Sequence, residues 1–224
     1  MIYVTGDTHG LIHADKLYRF DFTYGDTVII AGDFGGVWYD DFRDNMTLDW
    51  YERLGVNVLF VDGNHENHEA LDNLPVVGWN GGKVHKVREN IIHLMRGQVY
   101  TIEGYKIFTF GGADSIDKLN RTVGISWWER EMPSYDEYVE GLINLDKNNW
   151  GVDYVITHSC PVQVMSKLLD EFYITQLEKY FGDINKQLKF KKWYFGHFHV
   201  DKDLGKHRAL FQDVLELGGQ LPND

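Results

Sequence analysis

Cysteine is nearly absent: Cys160 stands alone among 224 residues. No disulfide can form within the chain, and a reducing, cytoplasmic setting is the expected one. Proline is also scarce, with four residues, and no tract rich in proline, serine or glycine divides the sequence. One large α/β domain over residues 1–224 is therefore expected. No apolar run approaches the roughly 18 residues that a membrane helix needs, so no membrane partner is expected. The opening Met1-Ile2-Tyr3-Val4-Thr5-Gly6 reads as a strand and not as a signal peptide. Basic residues are outnumbered: 22 lysines and arginines face 34 aspartates and glutamates, for a net charge of -12. An acidic surface repels the phosphate backbone of long nucleic acids, although a metal site can neutralise part of that charge.

Apolar residues make up 43% of the chain, enough for a buried core. Segments 2–5, 27–31 and 56–61 are continuous apolar runs with β-branched residues, as in strands buried on both faces. Between the second and third, Phe42, Met46, Trp50 and Leu54 recur at steps of four and predict one stripe of a helix. Strand-helix-strand order predicts parallel pairing with right-handed crossovers. Segments 83–87, 91–95, 98–102 and 106–110 are short and punctuated by turns, which predicts antiparallel strands. Ser134 with Glu137 forms a capping box opening a helix to about Leu145. Segment 152–157 is a further buried strand, and Ile174, Leu177, Phe181, Ile184 and Leu188 mark an amphipathic helix. Segment 193–195 and residues 209–217 supply the last strands.

Polar residues with metal affinity stand where these strands stop. Asp7 and His9, Asp33, Asn64 and His65, His158, and His197 with His199 each follow a predicted strand. In open α/β sheets, sites form at the carboxyl ends of strands, so residues far apart in sequence can converge. Carboxylate with neutral imidazole suits borderline divalent ions such as Mn, Fe, Zn, Co or Ni. Asp7, His9, Asp33, Asn64, His158, His197 and His199 exceed what one such ion takes, and a carboxylate can bridge two. The glycines before Asp7, Asp33, Asn64 and His197 allow close approach of backbone to ligand. A lone Gly-Asp-x-His or strand-end histidine is weak evidence. Five pieces in order, each at a strand end, carry the reading.

Gly6-Asp7-Thr8-His9-Gly10, Gly32-Asp33, Gly63-Asn64-His65-Glu66, Thr157-His158 and Gly196-His197-Phe198-His199 resemble the five ordered blocks of the calcineurin-like metallophosphoesterases. The resemblance runs from the first strand to about residue 200. It implies a four-layer α/β/β/α sandwich, two mixed β-sheets flanked by helices. It also implies a two-metal centre, with manganese the leading candidate. In that scheme Asp7, His9 and His199 bind one metal, Asn64, His158 and His197 the other, and Asp33 bridges. His65 is the proton donor or transition-state stabiliser. Two metals roughly 3.5–4 Å apart can hold a bridging hydroxide as nucleophile and clamp the phosphate. The expected function is phosphoester hydrolysis, as a phosphomonoesterase or phosphodiesterase.

One block departs from the phosphoprotein phosphatase pattern Gly-Asp-x-x-Asp-Arg-Gly: here Gly32-Asp33 continues as Phe34-Gly35-Gly36-Val37. A serine/threonine phosphatase is therefore an alternative reading, as is a nuclease, which the acidic balance disfavours. A non-catalytic scaffold of the same fold would be expected to lose ligands, and none is lost. Residues 113–150 are read as an insertion bordering the active site, in which Arg121 fills the vacancy of the phosphate-gripping arginine or instead pairs with Asp114 or Asp117. His13, His68, His85, His93 and His207 are assigned to hydrogen bonding, Glu66 to holding its loop, Asp40 and Asp41 to a helix start, and Trp127 and Trp128 to packing.

Overall fold

A computed structural model describes residues 1–219; positions 220–224 of the expected domain lie outside the described residues. The first part of the chain forms β1 (Ile2–Thr5), α1 (Asp15–Tyr18), β2 (Thr27–Ile30), α2 (Phe42–Glu52), β3 (Asn57–Phe60) and α3 (His68–Asp72). Five strands come next: β4 (Val76–Trp79), β5 (Gly82–Lys86), β6 (Ile91–Leu94), β7 (Gln98–Ile102) and β8 (Tyr105–Phe110). Then come α4 (Tyr135–Lys147), β9 (Tyr154–Thr157), α5 (Val162–Met165), α6 (Gln176–Gln187) and β10 (Lys192–Phe195). The last strands are β11 (Lys202–Leu204), β12 (His207–Ala209) and β13 (Val214–Glu216).

Two mixed sheets result, one in the order β13-β1-β2-β3-β6-β5-β4 and the other β11-β12-β10-β9-β8-β7. Alternation along the strands explains the layering. Ile2, Val4, Ile29 and Leu59 of the first sheet meet Ile107, Tyr154, Ile156 and Tyr194 of the second in a central core. The intervening Tyr3, Val28, Ile30, Val58 and Phe60 face outward under α1, α2 and α3. On the other side Phe108, Phe110, Val155, Trp193 and Phe195 pack under α4, α5 and α6. The α/β/β/α sandwich and its two mixed sheets are thus present.

Local expectations hold unevenly. Ser134 and Glu137 make the capping box of α4, and an unforeseen one, Thr175 with Glu178, opens α6. The stripe expected on α2 is only half met: Phe42 and Met46 are 74% and 73% exposed, whereas Trp50 and Leu54 pack against the core. Asp44, Leu48 and Tyr51 turn inward instead, because the Asp44 carboxylate accepts from the Tyr39 and Asp40 amides of the preceding loop. The strands between 83 and 110 are not one antiparallel set. β5 pairs antiparallel with β6, which runs parallel to β3, whereas β7 and β8 form a hairpin in the other sheet, with β8 parallel to β9. The helices α1, α3 and α5, and strands β4 and β11, had no signal strong enough to predict them.

Candidate metal centre

The strand ends bring the expected residues together. β1, β2 and β3 deliver Asp7, His9, Asp33, Asn64 and His65, and β9 and β10 of the second sheet deliver His158, His197 and His199. Three groups of potential ligand atoms lie within 4.8 Å of one another: Asp7, His9 and His199; His9, Asp33 and His65; and Asp7, Asp33 and His158. Asp33 faces both sides, with Oδ2 3.2 Å from His9 Nε2 and Oδ1 3.3 Å from His158 Nε2. His158 Nε2 also lies 3.2 Å from Asn64 Oδ1, and its ring centroid lies 5.0 Å from that of His197.

Backbone strain marks the same residues. His9, Asp33, His197 and His199 all adopt positive φ, between 48° and 68°, which non-glycine residues adopt at a cost. Backbone bonds between the loops hold them there: His65 N donates to Asp33 Oδ1 at 2.7 Å, and His197 N donates to Asp7 Oδ1 at 3.0 Å. The expected close approaches occur. A Cβ on Gly32 would strike His158, one on Gly63 would strike Asp33, and one on Gly196 would strike Asp7, each within 2.2 Å.

The donor set fits cations. Asp7 is fully buried, and its Oδ2 has no hydrogen-bond donor. His199 Nε2 lies 3.1 Å from that oxygen, a contact without hydrogen-bond geometry, so a buried carboxylate lone pair faces the cluster unclaimed. His158 Nδ1 lies 2.9 Å from the Ala31 carbonyl, which leaves Nε2 to face Asp33. Burial opposes ionisation of Asp7 and Asp33, but His199 and His158 respectively hold them below the usual carboxylate range. Burial likewise disfavours charge on His158, yet Asp33 pushes its pKa up to about 10. His197 is pushed down to about 4 by desolvation and by His158, leaving a neutral imidazole.

A second layer supports these groups, and most of it gave no sequence signal. Asn64 Nδ2 donates to Ser115 Oγ at 3.1 Å, and Ser115 donates through N and Oγ to the Glu131 carboxylate at 2.7 Å each. This chain turns the Asn64 carbonyl oxygen towards His158. The Lys16 ammonium, buried and lowered to about 8 by desolvation, donates to the Gly6 and Asp7 carbonyls and braces the first loop. Phe211 stacks on His199 at 4.5 Å. His13, whose Nδ1 lies 3.1 Å from His9 Nδ1, stands beside the cluster. Glu66 accepts from the Phe34 and Gly35 amides and so holds its loop as expected. Phe34 itself is buried against Phe60, so the chain after Asp33 turns into the core instead of offering charged side chains.

His65 and Arg121 lie on the solvent side. The guanidinium matches the imidazole nitrogen for nitrogen, Nη1 3.2 Å from Nδ1 and Nη2 3.1 Å from Nε2. Arg121 also pairs with Asp117 at 2.8 Å, so the structural pairing weighed against a site position coexists with one. Asp114 is occupied by Lys118 and Tyr173. Both His65 and Arg121 line a cleft of about 470 Å³ with Asp33, Asn64, His197 and His199 at its base.

The chain is similar to known proteins. The S. pombe lariat debranching enzyme is 26% identical, over 96% of this chain and 53% of that protein, so the chain spans about half the length of this relative. Among solved structures, a phosphopantetheinyl hydrolase from Mycobacterium tuberculosis aligns over 94% of this chain and 89% of its own, at 15% identity and a TM-score of 0.46. The family model for calcineurin-like phosphoesterases matches residues 1–201, a span that takes in every strand-end candidate ligand described above. The chain therefore belongs to the calcineurin-like phosphoesterase family.

Proposed function

We propose that this chain hydrolyses phosphate mono- or diesters with two divalent cations, manganese first among the candidates, working as one domain in the cytoplasm. The observation that carries the pair is Asp33, whose two oxygens face different ligand groups. Asp7, His9 and His199 would hold one cation and Asn64, His158 and His197 the other, with Asp33 shared. Bound there, two cations supply Lewis acidity that activates water and neutralises charge on the phosphoryl oxygens.

The protein's own groups do the rest. Asp7 and Asp33 bring negative charge, and the strained loops hold the imidazoles in place. His65, at the cleft side, donates an N–H towards the leaving oxygen. Burial lowers its pKa and Arg121 adds to the effect, which favours stabilisation by a neutral ring over full proton transfer. Arg121, with Nε held by Asp117 and Nη1 by the Ser126 carbonyl, presents Nη2 to a substrate oxygen. Of residues 113–150, the stretch to Glu131 borders the site and supplies Ser115, Arg121 and Glu131, whereas α4 packs on the second sheet. The likeness to a lariat debranching enzyme supports a diester substrate. Against a long nucleic acid stands the lining of the main cleft, where Asp114, Asp117, Glu171 and Glu178 outnumber Arg121.

Metal analysis of chelator-free protein equilibrated with Mn²⁺, paired with turnover of bis(p-nitrophenyl) phosphate, tests the reading. Two ions per chain are expected, with protons released on uptake as His158 surrenders its own. Asp33→Asn should reduce both occupancies and lower turnover by at least about 10²-fold. One ion per chain at saturation, or full turnover in Asp33→Asn, would falsify it.

A further inference from the structure

We infer that a second cleft, on the opposite side of His65, receives the second organic substituent of a phosphodiester, and that this substituent is uncharged and apolar or aromatic. The inference rests on the proposed phosphoesterase reading and names its substrate class.

His65 lines two clefts. The main one, described above, runs outward past Ile116, Leu169, Phe172 and Phe198. The other, of about 340 Å³, is lined by His9, Gly10, Leu11, Ile12, Gly35, Trp38, Tyr39, Thr47 and His65. His9 belongs to the ligand cluster, so both clefts open onto the same centre. A phosphomonoester carries one organic group and can occupy only one of them. A diester carries two, and phosphorus at the cluster would direct one group to each side.

The second cleft is chemically selective. Its lining contains no carboxylate, ammonium or guanidinium. A substituent bearing another phosphate would find no counter-charge there, whereas an apolar group would shed water against Leu11, Ile12 and Trp38. Leu11, Ile12 and Tyr39 are exposed at 45%, 76% and 52%, a high cost for apolar side chains with no ligand to cover. Trp38 is held ready: Trp128 meets it edge-on at 5.5 Å, and Asn67 Nδ2 donates to its carbonyl at 2.8 Å. A fixed indole wall beside a tyrosine suits a flat ring. At the rim the Arg43 guanidinium lies 3.7 Å from the Tyr39 ring centroid, but Asp41 pairs with it, so it offers no free cation.

Calorimetry on the Mn²⁺-equilibrated protein, with diphenyl phosphate and methyl phenyl phosphate as ligands, tests the inference. These diesters share charge and one ring and differ only in the second substituent. Diphenyl phosphate is expected to bind about tenfold more tightly, the order of gain from covering one ring. Ile12→Asp should abolish that preference while leaving metal content and melting temperature as in the wild type. Trp38→Ala should do the same, and Ile12→Asp keeps the test valid if loss of the Trp128 contact unfolds Trp38→Ala. Equal affinities in the wild type, including no binding of either, would overturn the inference, as would a preference that survives Ile12→Asp. Preferential binding without turnover of bis(p-nitrophenyl) phosphate would instead sink the hydrolase reading and leave the second cleft standing.

Discussion

His65 is enclosed by cationic or potentially cationic neighbours. Two Arg121 nitrogens lie within 3.2 Å of its ring nitrogens, and the His9 ring lies 5.0 Å away by centroid. Burial and these neighbours lower its pKa despite the opposing pull of Asp33. A neutral imidazole still donates one N–H, so turnover is not expected to fall as pH rises from about 6 to 8. His65→Ala should keep its metals and lose roughly 10²–10⁴ in turnover, the range for a missing acid-base group. Arg121→Ala should raise KM at unchanged metal content. Loss of metal in His65→Ala would make it a ligand, and wild-type KM in Arg121→Ala would reduce that residue to pinning the loop through Asp117. His65 was legible because it comes directly after Asn64 in a block with a recognisable form. Ser115 and Glu131 were not, because neither their types nor their spacing distinguish them from loop residues. Only the fold sets Glu131 2.7 Å from Ser115 and Ser115 3.1 Å from Asn64.

At the level of elements, the site depends on turns that leave no room for a side chain. A Cβ at Gly63 would lie 2.0 Å from Asp33 Oδ1 and 2.4 Å from its backbone N, so the second loop would have to move. Gly63→Ala should cost about 1–3 kcal/mol, the usual range for overpacking, and lower metal occupancy together with activity. Gly78→Ala, in β4, meets nothing within 4 Å and should change stability by less than about 0.5 kcal/mol. Thermal melts and metal analysis of both variants check this; equal effects would show that loop packing does not govern the centre. The helices were less legible than these turns. α6 obeyed its apolar period because Leu177, Phe181 and Ile184 are its buried face. α2 did so only in its second half, at Trp50, because Asp44 in its first turn is turned inward by backbone amides that precede it.

On the scale of the whole molecule, acid should unfold the protein before its carboxylates titrate. Asp62, buried beneath the Asn64 loop, binds Arg96 and His93, and His85 Nδ1 lies 3.1 Å from His93 Nδ1. Burial pushes His68 down to about 3 and His85 to about 4. Their folded pKa values lie below the unfolded value near 6.5, so between about pH 6.5 and 4 the unfolded chain takes up protons that the folded one refuses. Stability is complete above that window and falls as pH falls through it, by on the order of 2–3 kcal/mol for each buried ring. His158 is raised and so changes nothing there; its effect belongs above pH 6.5. Urea unfolding from pH 7 to pH 4, with chelator in every sample to remove metal linkage, should show the midpoint drop. A flat midpoint would mean that the cluster accommodates protons in the folded state.

The order of strands and the ligand blocks are local properties, so the chain's own pattern determined them. Apolar runs ending in Gly-Asp, Gly-Asn-His or Gly-His mark where a strand stops and which ligand stands at its end, without reference to any distant residue. Sheet partners were another matter. β6 and β7 are short strands four residues apart, yet they enter different sheets, because pairing is decided by which neighbour completes a core and not by the strand's own composition. The same holds for function. The seven candidate ligands could be read in order along the chain, but the two faces of Asp33, the support of Asn64 by Glu131, and the second cleft beside His65 exist only once five strand ends from two sheets share one rim.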